Sequence, residues 1–215
     1  MNTNAFNPLT GPIGFYPVVP TADWVERLLD WGVRTVQLRI KAADHTLDEI
    51  AVQIRAAVVA CNKIPGAQVF INDHWQLALA EKAFGVHLGQ GDLDTADIEA
   101  LRSAGIRLGL STHTPAELAR AKAVQPSYLA IGPIYPTTLK VMPYAPVGLA
   151  QLTEWAKRAA PYPVVAIGGI SLERLPGVLA CLNGKSDGAA VVSAVTLAAD
   201  PHQAALDGLK MAQKG

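Results

Sequence analysis

Gln68-Val-Phe-Ile-Asn72-Asp73 is the stretch that decides the fold, a short and largely apolar run followed at once by two small polar side chains. A strand covered on both faces reads this way, and such strands belong to parallel sheets flanked by helices. Outward from Gln68 to Ile71, the same grammar recurs at Gly14 to Val19, Arg34 to Leu38, Gly85 to Leu88, Arg107 to Leu110, Tyr128 to Ile131, Pro163 to Ile167 and Gly188 to Val192, eight runs in all. Helical patterns lie between them. Thr114-Pro115-Ala-Glu117 reads as a capping box with proline at the first helical position, and Asp200-Pro201 repeats the start signal at the last helix. Gly32 and Gly105 stand where a left-handed C-terminal cap is expected.

Eight strands alternating with eight helices predict an α/β protein with a single (β/α)8 TIM barrel over residues 14–215. An open doubly wound sheet tolerates the same pattern and is the alternative. Residues 1–13 read as an N-terminal extension of a composition that is often unordered. The connection from Gly132 to Val147 is longer than the usual βα loop and holds Pro133, Pro136, Pro143 and Pro146, which marks it as a candidate lid.

With 215 residues, half of them hydrophobic, the chain is long enough for one large core. Lys plus Arg and Asp plus Glu each total 18, so no global field favours nucleic acid or a membrane surface, and small-molecule partners are expected. Cys61 and Cys181 are far apart and in no metal spacing, which reads as packing in a reducing compartment. The first fourteen residues carry no signal-peptide pattern, and the longest uncharged stretch, Gly188 to Ala199, is too short to span a bilayer, so the expected location is cytoplasmic. The sequence is compatible with a homo-oligomer without specifying one.

In such a barrel, residues just after each strand become neighbours at the C-terminal rim. The second strand ends in Gln37, Arg39 and Lys41, which share a face by alternation, toward the barrel interior or its mouth. Three long polar side chains on an inward face are costly without an anionic or hydrogen-bonding partner. The third ends in Asn72 and Asp73, and Gln90-Gly-Asp92 follows the fourth. Two carboxylates on adjacent strand ends suit Mg²⁺, which takes few protein ligands plus phosphate oxygens, although either Asp alone reads as a helix N-cap. Gly168 and Gly169 after the seventh strand and Ser193 after the eighth suit a phosphomonoester. No Ser/His/Asp set, Walker pattern or zinc spacing occurs, and His87 and His113 receive no role.

The ordered set Gln37-Leu-Arg39-Ile-Lys41, Phe70-Ile-Asn72-Asp73, Gly85-Val-His-Leu-Gly-Gln-Gly-Asp92, Gly109-Leu-Ser111-Thr-His113, Gly132-Pro, Ala166-Ile-Gly-Gly-Ile170 and Ala190-Val-Val-Ser193 resembles the thiamine phosphate synthase family over nearly the whole chain. The resemblance implies a (β/α)8 transferase that joins hydroxymethylpyrimidine diphosphate to a thiazole phosphate with Mg²⁺, giving thiamine phosphate and pyrophosphate. It implies that Gln37, Arg39, Lys41, Asn72, Ser111 and Lys140 hold the pyrimidine diphosphate, with Arg39, Lys41, Ser111 and Lys140 counted as catalytic. Asp73 and Asp92 would hold the metal, and Thr137, Thr138, Gly169, Val192 and Ser193 the thiazole phosphate.

One position departs from the family pattern. Leu139 stands where a Thr or Ser usually precedes the lysine, and losing one neutral hydrogen bond of about 0.5 to 1.5 kcal/mol predicts a raised thiazole phosphate KM. Two alternatives remain: a thiazole tautomerase-like isomerase, against which the Asp73/Asp92 and Gln37/Arg39/Lys41 sets argue, and a non-catalytic phosphate-ligand binding barrel.

Overall fold

The structure, a computed structural model, describes residues 4–137 and 145–213. Eight parallel strands close on themselves in sequence order: β1 Gly14–Val19, β2 Thr35–Leu38, β3 Gln68–Asn72, β4 Gly85–Leu88, β5 Arg107–Thr112, β6 Tyr128–Ile131, β7 Val164–Ile167 and β8 Gly188–Val191. Closure rests on the β1/β8 ladder, where Gly14 to Pro17 pair with Gly188 to Val191. The barrel is therefore observed and the open sheet is excluded.

The outer layer consists of α1 Ala22–Asp30, α2 Leu47–Lys63, α3 Trp75–Ala80, α4 Ile98–Ser103, α5 Pro115–Ala123, α6 Gly148–Ala159, α7 Leu175–Leu179, α8 Ser193–Thr196 and α9 Pro201–Gln213. The expected eight helices are thus nine among the described residues, because the four-residue α8 precedes α9 after β8. Both expected left-handed caps occur. Gly32 has φ of 98°, and Val33 N–H reaches Leu28 O while Gly32 N–H reaches Leu29 O, the two bonds of a Schellman cap. Gly105 repeats this with Ile106 N–H to Leu101 O and Gly105 N–H to Arg102 O.

The capping box read at Thr114 is only half formed. Thr114 Oγ1 accepts from Glu117 N–H, but the Glu117 carboxylate turns to His113, accepting from its backbone N–H at 2.7 Å and lying 2.8 Å from its ring Nδ1. The reciprocal box is at α2, between Thr46 and Glu49. At the last helix, Asp200 Oδ1 accepts from Gln203 N–H as expected.

Strand alternation divides the core in two. Val36, Leu38, Val69, Ile71, Val86, Leu88, Leu108 and Leu110 face the helices. Tyr16, Val18, Phe70, Tyr128, Ala130, Val165 and Ala190 fill the barrel interior. Two glycines make room for the largest of these. A Cβ on Gly85 would lie 2.4 Å from the Phe70 ring, and one on Gly109 would lie 2.1 Å from the Tyr128 ring. Large and small residues thus complement each other across neighbouring strands, as close packing requires.

Residues 6–12 are held against the barrel. Phe6 is buried beneath the Arg102 guanidinium, and residues 7–12 are tied across the N-terminal end of the barrel. Pro8 O accepts from Arg107 Nε, Asn7 O accepts from the Ser127 hydroxyl, and Gln68 binds Thr10, Gly11 and Pro12. Order arises here because strand ends β3, β5 and β6 present donors and acceptors that the segment satisfies.

Candidate active site

The C-terminal rim receives the strand-end residues singled out from the sequence. Gln37 lies inside β2 and is 2 % exposed. Arg39 is half-buried just past the strand, its backbone N–H extending the ladder to Val19 O, while Lys41 is exposed at the start of a 3-10 turn over Ala42–Asp44. Gln37 thus takes the interior end of the expected face, and Arg39 and Lys41 stand at the mouth. The strand ends at Leu38, so Arg39 and Lys41 belong to the rim rather than to the interior.

Asn72 is buried at the end of β3, paired in register with His87 on β4. Asp73 follows with φ of 58°, a left-handed conformation that costs most side chains about 1 to 2 kcal/mol and that Asp tolerates best after Asn and Gly. Its N–H donates to His87 O, which holds the turn against β4. The N-cap position of α3 is His74, one residue further on, and His74 makes no side-chain cap bond. Asp92 opens a 3-10 turn, and its Oδ2 accepts from Gly89 N–H at 2.8 Å, so one carboxylate oxygen already serves the β4 loop.

Asp73 and Asp92 follow adjacent strands, and no group of three or more His, Cys, Asp or Glu suited to a metal exists among the described residues. The two carboxylates are the groups that could hold a hard divalent cation, and Mg²⁺ would need phosphate oxygens and water to complete its shell there. In the same β4 loop as Asp92, Gln90 donates through Nε2 to Ser111 O at 2.7 Å, while its Oε1 is buried with no hydrogen-bond partner among the described residues. A buried acceptor left open is what a cation or its water would satisfy.

On the opposite side of the rim, the loops after β6 and β7 lock together. Ile134 N–H donates to Ile167 O and Tyr135 N–H to Gly168 O. Gly168 and Gly169 both have positive φ, and a Cβ on Gly169 would lie 2.6 Å from Pro136 O. These glycines therefore serve loop packing as well as leaving backbone at the rim. Ser171 opens a turn rather than the helix, which begins at Leu175. Val192 is half-buried as the cap residue of α8, and Ser193, the first residue of that helix, is exposed. The ends of the candidate lid are clamped by Val147 N–H to Pro133 O and Gly148 N–H to Ile134 O. Thr137 is half-buried at the start of its outer part; Thr138, Leu139 and Lys140 lie outside the described residues.

Sequence reasoning missed what joins the interior residue Gln37 to the rim residue Ser111. Gln37 Nε2 donates to Tyr16 Oη at 3.2 Å, Tyr16 Oη and Tyr128 Oη are 2.9 Å apart, Tyr128 Oη lies 2.7 Å from His87 Nδ1, and His87 Nε2 lies 2.8 Å from Ser111 Oγ. Burial pushes both phenols above their ordinary range, with the Gln37 contact opposing this at Tyr16 and neighbouring Tyr16 adding to it at Tyr128. Both remain neutral hydroxyls. Tyr128 reaches from β6 past β5 to β4 because Gly109, its registered partner on β5, has no side chain. A tyrosine in the middle of a buried strand, whose hydroxyl must find a partner, was the available signal.

Comparison with known proteins agrees with this geometry. The thiamine monophosphate synthase family profile matches residues 15–195. The thiamine-phosphate synthase of Neisseria meningitidis serogroup A is 55% identical over 197 residues, covering 92% of this chain and 93% of that protein. The thiamine-phosphate synthase of Cronobacter sakazakii is 52% identical over 213 residues and covers 99% of each chain. Among solved structures, a thiamine phosphate pyrophosphorylase from Pyrococcus furiosus superposes with a TM-score of 0.79 at 29% identity, covering 94% of this chain and 96% of that one. A (β/α)8 barrel with this rim and these relatives belongs to the thiamine monophosphate synthase family and is an enzyme of the thiamine-phosphate synthase type.

Proposed function

We propose that the rim condenses hydroxymethylpyrimidine diphosphate with a thiazole phosphate, in the presence of Mg²⁺, to give thiamine phosphate and pyrophosphate. The observation that carries this reading is the placement of Gln37, Arg39, Asn72, Asp73, Asp92 and Ser111 on consecutive strand ends β2 to β5, opposite the Thr137, Gly169, Val192 and Ser193 segment on β6 to β8. One half of the rim offers cations, amides, carboxylates and a hydroxyl to a diphosphate, and the other offers backbone and small hydroxyls to a monophosphate.

Asp73 and Asp92 would hold Mg²⁺, which supplies charge neutralisation of the diphosphate when bound. Arg39 and Lys41 bring fixed positive charge to the same oxygens, with Lys140 assigned there from its place in the motif. The methylene–oxygen bond breaks with its electron pair going to pyrophosphate, and the aminopyrimidine spreads the resulting positive charge. The thiazole nitrogen then donates its lone pair to the methylene carbon. Negative charge grows on the leaving group, so donors fixed beforehand at those oxygens lower the barrier. Gln37 and Asn72, both buried, orient the pyrimidine, and no general base is needed for the bond-forming step.

The test is pyrophosphate release measured with each substrate alone, with both, and with both after removal of Mg²⁺. Release that requires both substrates and the metal supports the reading. Thiazole phosphate binding without release would return the chain to the isomerase or binding-barrel alternatives.

A further inference from the structure

The buried chain of hydrogen bonds from Gln37 to Ser111 has a direction. It crosses five strands, β2, β1, β6, β4 and β5, and its inner members Tyr16, Tyr128 and His87 are all at most 5 % exposed. Each neutral hydroxyl in it has one hydrogen to give. Gln37 Nε2 can only donate, so Tyr16 Oη accepts there, which leaves the Tyr16 hydrogen available to Tyr128 Oη 2.9 Å away. With that polarity Tyr128 gives its hydrogen to His87 Nδ1, and on a neutral ring the imidazole hydrogen sits on Nε2 and faces Ser111 Oγ. Ser111, having accepted, keeps its own hydrogen for the barrel mouth.

The opposite polarity would turn the Ser111 hydrogen inward, toward His87, and present only lone pairs to the ligand. That would repel a phosphate oxygen. The orientation of one amide on β2 therefore decides whether a hydroxyl on β5 is a donor.

We propose that Gln37, Tyr16, Tyr128 and His87 form a one-way hydrogen-bond relay that holds His87 as its Nε2–H tautomer and so presents the Ser111 hydroxyl as a donor to the pyrimidine diphosphate. This rests on the ligand reading above. His87, Tyr16 and Tyr128 are positioning residues, acting through Ser111 rather than on the substrate. The relay also gives a reason for Gly109, since a side chain there would displace Tyr128 and cut the chain in its middle.

The test reads the tautomer directly by nitrogen-15 NMR of protein with labelled histidines, in which the His87 signals among five histidines are assigned by their loss in His87→Asn. In wild type, Nδ1 is expected to carry no hydrogen and Nε2 to carry one. In Gln37→Glu the side chain becomes an acceptor, every bond reverses, and the hydrogen is expected to appear on Nδ1, three hydrogen bonds away. Wild-type protein with the hydrogen on Nδ1, or a folded Gln37→Glu protein with Nδ1 still bare, overturns the relay. The wild-type spectrum decides alone if Gln37→Glu does not fold. Tyr128→Phe, which leaves Gln37 and Ser111 in place, is expected to lower kcat about tenfold with the thiazole phosphate KM unchanged, the loss of one oriented donor at the transition state. A Tyr128→Phe enzyme with wild-type kcat also overturns it. Because the tautomer is read without substrate, a failed relay and a failed substrate assignment give different results.

Discussion

Two glutamines on neighbouring strands, Gln68 on β3 and Gln37 on β2, anchor buried polar networks at opposite ends of the same barrel. At the base, Gln68 Oε1 accepts from the backbone N–H and hydroxyl of Thr10, and Nε2 faces Gly11 O, Pro12 O and Thr35 Oγ1. That network is closed, since each of its partners belongs to the N-terminal segment or to β2, and it plugs the barrel. At the mouth, the Gln37 network runs through three rings and ends on Ser111, which is half-buried at the rim. The same side chain thus makes a seal where the chain covers it and a site where the chain leaves it open. Buried polar networks in this fold are informative by where they end.

The largest effect that would break this contrast is at Asp73. Glycine accepts the φ of 58° there, so Asp73→Gly removes the carboxylate while keeping the turn. Steady-state pyrophosphate release should fall by roughly 10²- to 10³-fold, the scale of losing one electrostatic group aimed at developing charge. At the base, Gln68→Ala should do the reverse. It strands Thr10 N–H and its neighbours at about 1 to 3 kcal/mol, which for a chain of this length lowers Tm by roughly 3 to 10 °C in calorimetry, with kcat within about twofold of wild type. Gly109→Ala sits between the two regions. Overpacking against the Tyr128 ring should cost about 1 to 3 kcal/mol in denaturant titration and also lower kcat, because the displaced ring leaves His87. The smallest effect belongs to Leu139→Thr, which should lower the thiazole phosphate KM by about twofold to tenfold; an unchanged KM would remove a hydroxyl contact from the account.

Much of this was legible because β-strand runs and their polar ends are local. Gln68-Val-Phe-Ile followed by Asn72-Asp73 announces a strand and a rim position within six residues, and Asp200-Pro201 announces a helix within two. What was not legible depends on closure. Tyr16 and Tyr128 are 112 residues apart, and Tyr128 and His87 are 41 apart, so no spacing encodes their contacts. How far Gln37, Arg39 and Lys41 divide between interior and mouth depends on where β2 stops, at Leu38, which the alternating pattern alone does not mark. Whether the N-terminal segment is ordered was not legible, because the partners of residues 7–12, Gln68, Arg107 and Ser127, lie on strands far along the chain. Glu117 had two local choices, the Thr114 backbone or His113, and periodicity could not rank them.

The most direct measurement compares pyrophosphate release, with both substrates and Mg²⁺ present, in wild type, Gln37→Ala and Gln68→Ala, each checked for folding by Tm. The account predicts that Gln37→Ala loses turnover by at least about tenfold while Gln68→Ala keeps it and loses only stability. Equal turnover in Gln37→Ala and wild type, or equal loss in both variants at a temperature where both are folded, would contradict it.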